Sequence, residues 1–266
     1  MKKQTVSPMK ALAIIVFCAL YGGNAAASVD KHELAMLKTA KKMEYMSQKI
    51  TKAYFYKQLN IRPSYAQEDL KESLDELKTG LIKLENGVKG KEEKDIMAFL
   101  KYTHEELVDI LSKPYSKERG ALMIDYGESL LEGAEFISKQ HRQKKKSNEE
   151  TMLVATDNLL FLLERINKLY IAHKAGFKDY NNVIQIEQAV TDFEQGMSKV
   201  NAYGRYPGHT EGKVEKINKF WPMAKTFYLG KKGALPKIVL ASTDKLVHEV
   251  TGLNNYHHQA VVRGKK

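Results

Sequence analysis

The amino-acid sequence predicts an all-α protein, built as two tandem antiparallel four-helix bundles. Three observations predict it. Apolar residues recur at spacings of three and four through long segments, and no useful length alternates with a period of two. Only six prolines interrupt 266 residues that are rich in Leu, Lys, Glu, Ala and Met. Three separate segments return, altered, 116 positions later without a gap.

The elements follow in order. Lys2, Lys3 and Lys10 make a basic opening, and "ALAIIVFCALYGG" (11–23) is an apolar run too short for a comfortable bilayer span. Ala25 and Ala27 then offer a small-residue cleavage site before Ser28. A cleaved secretory signal over residues 1–27 is expected, with an uncleaved anchor as the competing reading. Cys18 has no small residue just before it, so lipidation is not expected. Removing the leader removes the only cysteine, so packing rather than disulfides must stabilise the remaining 239 or so residues. Nothing later in the chain is long and apolar enough to span a membrane. The expected location is the periplasm or the cell exterior. Three of the 43 basic residues and none of the 32 acidic ones lie in the leader, which leaves a net charge of +8. Export, and the dispersal of Lys and Glu at helix-face spacing, argue for a solvated surface and against nucleic acid as a partner. Only "HRQKKK" (141–146) concentrates positive charge, either towards water or towards an anionic surface.

The first bundle is expected over 28–146 and the second over 147–266. Met36, Ala40, Met43, Met46, Ile50 and Ala53 make one apolar stripe; Leu70, Leu74, Leu77, Leu81 and Leu84 make another. Breaks fall at Pro63, "NGVKG" (86–90) and "SKPYS" (112–116), and in the second half near Gly176, "YGRYPGH" (203–209) and "GKKGALP" (230–236). Ser64 is the expected cap of the second helix. The junction near 141–150 has neither Pro nor Gly, so a continuous helix joining the bundles into a rod is a possible outcome. At the 116-residue shift "KKMEYMSQKITKAY" (41–54) lies over "DNLLFLLERINKLY" (157–170), with Ile50 on Ile166, Lys52 on Lys168 and Tyr54 on Tyr170. Gly80 falls on Gly196 and Leu130 on Leu246. The third helices fit better at 121, which sets Ile96, Phe99 and Leu100 on Ile217, Phe220 and Trp221.

"MSQKITKAY" (46–54), at the head of a four-helix module, resembles the N-terminal sensor domain of type IV pilus methyl-accepting chemotaxis transducers and of the related nitrate/nitrite sensors, the PilJ/NarX-like domain. Ser47, Gln48, Lys49, Ile50, Lys52 and Tyr54 carry the resemblance. "LLERINKLY" (162–170) is a weaker second copy, and "FWPMAKTF" (220–227) is similar to the family's Trp-containing third helix. The resemblance implies two copies of a sensor domain, homodimerisation through first and last helices, and a ligand held between helices or at a dimer seam. In the nitrate sensors an arginine on the first helix reads the anion. At that position this sequence has Glu44 and Leu160, a repelling carboxylate and a side chain without a donor, so nitrate sensing is not implied. The family's transmembrane and signalling segments are not expected here; the chain reads as the sensing module alone.

No constellation of residues points to an enzyme. "THEEL" (103–107) has Val108 where a zinc helix needs its second histidine, and no covalent-haem motif is present. No metal or other cofactor is expected. Asp244 with His248, four apart, reads as a surface helix contact, and His257 and His258, as sequence neighbours, project differently along a helix and are not expected to hold a metal. Trp221, before Pro222, reads as a core residue at a helix start. Tyr54 and Tyr170 read as core plugs or as pocket walls. The candidate ligand-binding residues are Tyr45, Ser47, Gln48, Lys49, Tyr54, Arg165 and Tyr170. The expected function is a non-enzymatic module binding an unknown small ligand or a membrane sensor protein; the alternative is a scaffolding rod of the cell envelope with a degenerate pocket.

Overall fold

The computed structural model describes residues 31–142, 147–178, 180–230 and 235–264. The signal expected at 1–27 and the middle of the basic run at 143–146 lie outside them. The described residues are helical, with no strand among them. The helices are α1 (Lys31–Gln58), α2 (Pro63–Gly87), α3 (Lys91–Ser112), α4 (Lys117–Gln140), α5 (Asn148–Lys174), α6 (Tyr180–Tyr203), α7 (Gly208–Tyr228) and α8 (Pro236–Arg263).

Packing follows the apolar stripes. All six residues of the α1 stripe are buried, and so are Leu70, Leu77, Leu81 and Leu84 of α2. α1 packs on α2 and α4, and α3 packs on α4; α5 likewise packs on α6 and α8, and α7 on α8. Gly87, which ends α2, sits against Met36 near the start of α1. His141, which caps the end of α4, reaches Glu33 at the start of α1, so α2 and α4 both run antiparallel to α1. Close approach of α2 to α1 depends on Gly80, where an added Cβ would come within 3.2 Å of Met43 Cγ; the α6–α5 approach depends on Gly196, where it would meet Leu159 Cδ2 at 2.7 Å. Gly80 with Met43 and Gly196 with Leu159 stand 116 residues apart, partner for partner.

A second contact recurs at the same shift. His141 Nδ1 lies 2.7 Å from Glu33 Oε2, and His257 Nδ1 lies 2.9 Å from Glu149 Oε2. Each ties the start of its long helix to the last helix of its set. The other ring nitrogens differ. His141 Nε2 is 2.8 Å from Glu93 Oε1, whereas His257 Nε2 is 2.9 Å from the Tyr206 hydroxyl. The bounds of α3 and α7 are 116–117 residues apart, although the buried Leu100, Thr103 and Leu107 match the buried Trp221, Ala224 and Tyr228 at 121.

Three expectations are corrected. α2 begins at Pro63, with Arg62 as its cap residue in the left-handed region (φ 48°), so Ser64 is already inside the helix. Trp221 lies within α7 rather than at its start; it stacks on Phe193 with ring centroids 4.1 Å apart, and its indole N–H donates to Glu194 (3.0 Å). No continuous helix joins the halves. α4 ends at Gln140 and α5 starts afresh behind a capping box, in which the Glu150 N–H donates to Ser147 Oγ (3.1 Å) and the Ser147 N–H to Glu150 Oε2 (2.9 Å). The halves do not extend end to end as a rod would. α5 lies beside α1, and contacts climb both helices together, from Lys41–Asn158 to Tyr56–Asn167, so the pair is parallel.

Candidate functional site

α1 packs against three helices, α2, α4 and α5, and α5 against α1, α6 and α8 with a lighter touch on α7; this governs the chemistry between them. A helix with packing on one stripe keeps its charges in water. α1 has α2 and α4 on its apolar face and α5 on much of the remainder, so Lys41, Glu44, Gln48 and Lys52 are buried although they are polar. On α5 the same holds for Glu164, Asn167 and Lys168. Ionised groups in such a place must be paired, because removal from water costs several kcal/mol per ion, roughly.

The pairing runs across the seam. Lys52 is 1% exposed; its ammonium is 2.8 Å from Glu164 Oε2 on α5 and 3.4 Å from Asp69 Oδ2 on α2. Lys49 holds the other Asp69 oxygen at 2.7 Å, and the Tyr45 hydroxyl donates to Glu164 Oε1 at 3.1 Å. Burial alone would lower the Lys52 ammonium, but Glu164 and Asp69 raise it above the ordinary lysine range. Burial, reinforced by Glu164, pushes the Tyr45 hydroxyl well up. A second network lies beside the first. Arg165 donates to Gln48 Oε1 (3.3 Å) on α1, to Glu128 (3.1 Å to Oε2) on α4 and to Gln185 Oε1 (3.2 Å) on α6. Lys168 also pairs with Glu128. Burial works to raise the Glu128 carboxyl; Lys168 and Arg165 prevail and hold it below the usual range. Burial lowers Lys168 itself to about 8 in spite of Glu128.

Of the seven candidate residues, Tyr45, Gln48, Lys49 and Arg165 therefore meet at one seam. Ser47 backs them: its hydroxyl donates to the Glu44 carbonyl (2.7 Å) and accepts from the Gln48 amide (2.9 Å). Tyr54 and Tyr170 do not join. Tyr54 is buried against Phe55 and Tyr115, with its hydroxyl lacking a hydrogen-bond partner among the described residues. Tyr170 borders a small pocket of about 150 Å³ with Tyr228 and His173. Sequence reading missed Lys52, Glu164, Asp69 and Glu128. For Lys52 the signal was a polar stripe at helical spacing (41, 44, 48, 52) on a helix whose apolar stripe was already complete.

The seam has no open floor at Ser47 and Gln48, which are 1% and 0% exposed. Lys49, Lys52, Arg165 and Lys168 are each answered by a carboxylate of the same chain. Among the described residues no group of three or more histidines and carboxylates could hold a metal ion. No described helix is long and apolar enough to cross a membrane. Open space flanks the seam instead. A cleft of about 360 Å³ lies between α1 and α4 on one side and α5 and α6 on the other. A groove of about 700 Å³ runs along α1 and α2. The two share positions at the 116-residue shift: Lys42, Met43, Glu76, Gly80 and Lys83 in the groove, Asn158, Leu159, Asp192, Gly196 and Lys199 in the cleft. No family model, curated protein or solved structure matches this chain.

Proposed function

We propose that this chain is an exported, non-enzymatic, sensor-like helical module of the PilJ/NarX-like kind, duplicated within one polypeptide, which binds a small ligand or a partner sensor protein. The reading is carried by the α1–α5 seam. Two helices at equivalent positions of the sequence lie parallel and exchange buried polar contacts, Tyr45 and Lys52 with Glu164, and Arg165 with Gln48. In that arrangement α5 takes the place against α1 that a second copy would take in a homodimer. A ligand that prefers one packing of the halves shifts their population, and a partner reads the difference. Internal carboxylates already occupy the seam's cations, so the ligand's place is beside the seam, and nitrate is not its chemistry.

The test is a thermal-shift screen of the mature protein against small metabolites, together with crosslinking to membrane sensors in the periplasm. A reproducible rise in Tm with one compound class, or one specific crosslinked sensor, is expected. A protein that responds to no compound and captures no sensor would remove this reading. The solid packing at Ser47 and Gln48 favours a second one, a scaffold of the envelope in the form of a double-width helical block. Such a scaffold would show neither response, and its deletion would alter envelope integrity.

A further inference from the structure

The cleft beside the seam has one carboxylate oxygen without a partner at depth, on Glu44, a carboxylate without a protein cation on its wall, Asp192, and cations without a protein carboxylate at its rim. Glu44 is 2% exposed; one of its oxygens is 2.6 Å from Lys41, while Oε1 is buried and has no hydrogen-bond partner among the described residues. Asp192, on the α6 wall, accepts only a neutral hydrogen bond, from the Gln188 amide at 2.8 Å. The related groove shows what is missing. There Lys42 crosses to Glu76 at 2.9 Å. At the 116-residue shift that pair becomes Asn158 and Asp192, and the cation is gone. Two more of the cleft's charges cancel each other, Lys139 with Glu135 at 3.0 Å. Arg142 and Lys199 remain on the rim, and neither forms an ion pair among the described residues. Leu159 and Leu162 supply an apolar surface, and Gly196 keeps α6 close to α5 there.

We propose that this cleft binds a small zwitterion of the amino-acid class, with its ammonium between Glu44 and Asp192 and its carboxylate on Arg142 and Lys199. The complementarity is one of charge order. An ammonium supplies the donors that Glu44 Oε1 and Asp192 lack, and a guanidinium is the donor best shaped for a carboxylate. The volume suits a free amino acid and excludes a folded partner. Both halves contribute walls, α1 and α4 from one and α5 and α6 from the other, so occupancy couples to how the halves sit. This inference rests on the sensor-like reading above and specifies the ligand for it.

The test is isothermal titration of the mature protein with the twenty amino acids, and then, for any that binds, with its decarboxylated amine and its des-amino acid. At least one amino acid should bind with one-to-one stoichiometry, and each truncated analogue should bind at least tenfold more weakly. Asp192→Asn and Arg142→Ala should each weaken binding at least tenfold, with far-UV circular dichroism unchanged. Both positions are at least partly exposed, so neither change disturbs the core. Lys83→Ala, in the related groove, should leave the affinity as it is. Equal binding of the des-amino acid or of the amine would overturn the zwitterion assignment, as would binding indifferent to both variants. If no amino acid binds but another compound class raises Tm in the wider screen, this proposal falls while the sensor-like reading stands. If nothing binds and no sensor is captured, both fall.

Discussion

Individual side chains at the seam carry unequal burdens, although they look alike in sequence. Lys52 and Lys168 stand 116 residues apart, and both are buried. Among the described residues Lys52 alone is at ion-pair distance from Glu164, and it shares Asp69 with Lys49. Lys168 shares Glu128 with Arg165. Replacing Lys52 by Met should therefore cost about 3–5 kcal/mol, because it strands a buried carboxylate, while Lys168→Met should cost within about 1 kcal/mol. Urea unfolding of the two variants measures both; equal losses would refute the distinction. Asp157, in the first half of α5, gives a pH prediction. Burial pushes its carboxyl up to about 7, against the opposing Asn254 hydrogen bond and the charges of Lys41 and Lys38. The native state thus holds that proton more tightly than the unfolded chain does. Its contribution to stability is complete below the ordinary aspartate range and is lost as pH rises through about 7. Asp157→Asn keeps the oxygen that accepts from Asn254. It should raise Tm at about pH 8 and leave it nearly unchanged at about pH 4.

At the level of helices, the glycines that set interhelical distance invite a paired test. Alanine at either position gains helix propensity, by roughly 1 kcal/mol in an exposed site. At Gly80 the added carbon meets a flexible methionine at 3.2 Å, which can give way, so Gly80→Ala should change stability by less than about 0.5 kcal/mol. At Gly196 it meets the fully buried Leu159 at 2.7 Å, and Gly196→Ala should cost about 1–3 kcal/mol. Chemical denaturation of both variants measures the difference; a stable Gly196→Ala protein would mean that Leu159 can rotate aside. Much of this level was legible in the sequence. The apolar stripes of α1 and α2 and the breaks around Pro63, "NGVKG" and "SKPYS" emerged where periodicity placed them. The fresh start of α5 had a signal in the sequence, Ser147 followed three residues later by Glu150, which the reading of the junction from its lack of Pro and Gly did not use. The seam was not legible. A polar stripe at helical spacing looks the same whether it faces water or a second helix, and only the partner's position decides. Tyr54 and Tyr170 were drawn into the candidate site by their recurrence, which placed them equivalently in the core and not together.

For the whole molecule, the seam makes the halves interdependent. Ion pairs and hydrogen bonds from α1 to α5 are buried, and separating the helices would expose or strand them. Heat or urea should therefore unfold residues 31–264 in one transition. Trp221 is the only tryptophan and lies in the second half, so its fluorescence reports α5–α8, whereas far-UV circular dichroism reports all the helices. The two curves should coincide; a fluorescence transition displaced from the dichroism one would show that the halves melt separately.

Carrying both partners of the seam on one chain has an outcome that a pair of identical subunits could not reach. Identical subunits must change both sides of their contact whenever they change one. Here Lys42 and Asn158, or Glu44 and Leu160, differ at the 116-residue shift, and the groove and the cleft are chemically unlike. Saturation of such a molecule should follow a simple hyperbola with a single occupant, free of the half-of-sites behaviour open to symmetric assemblies.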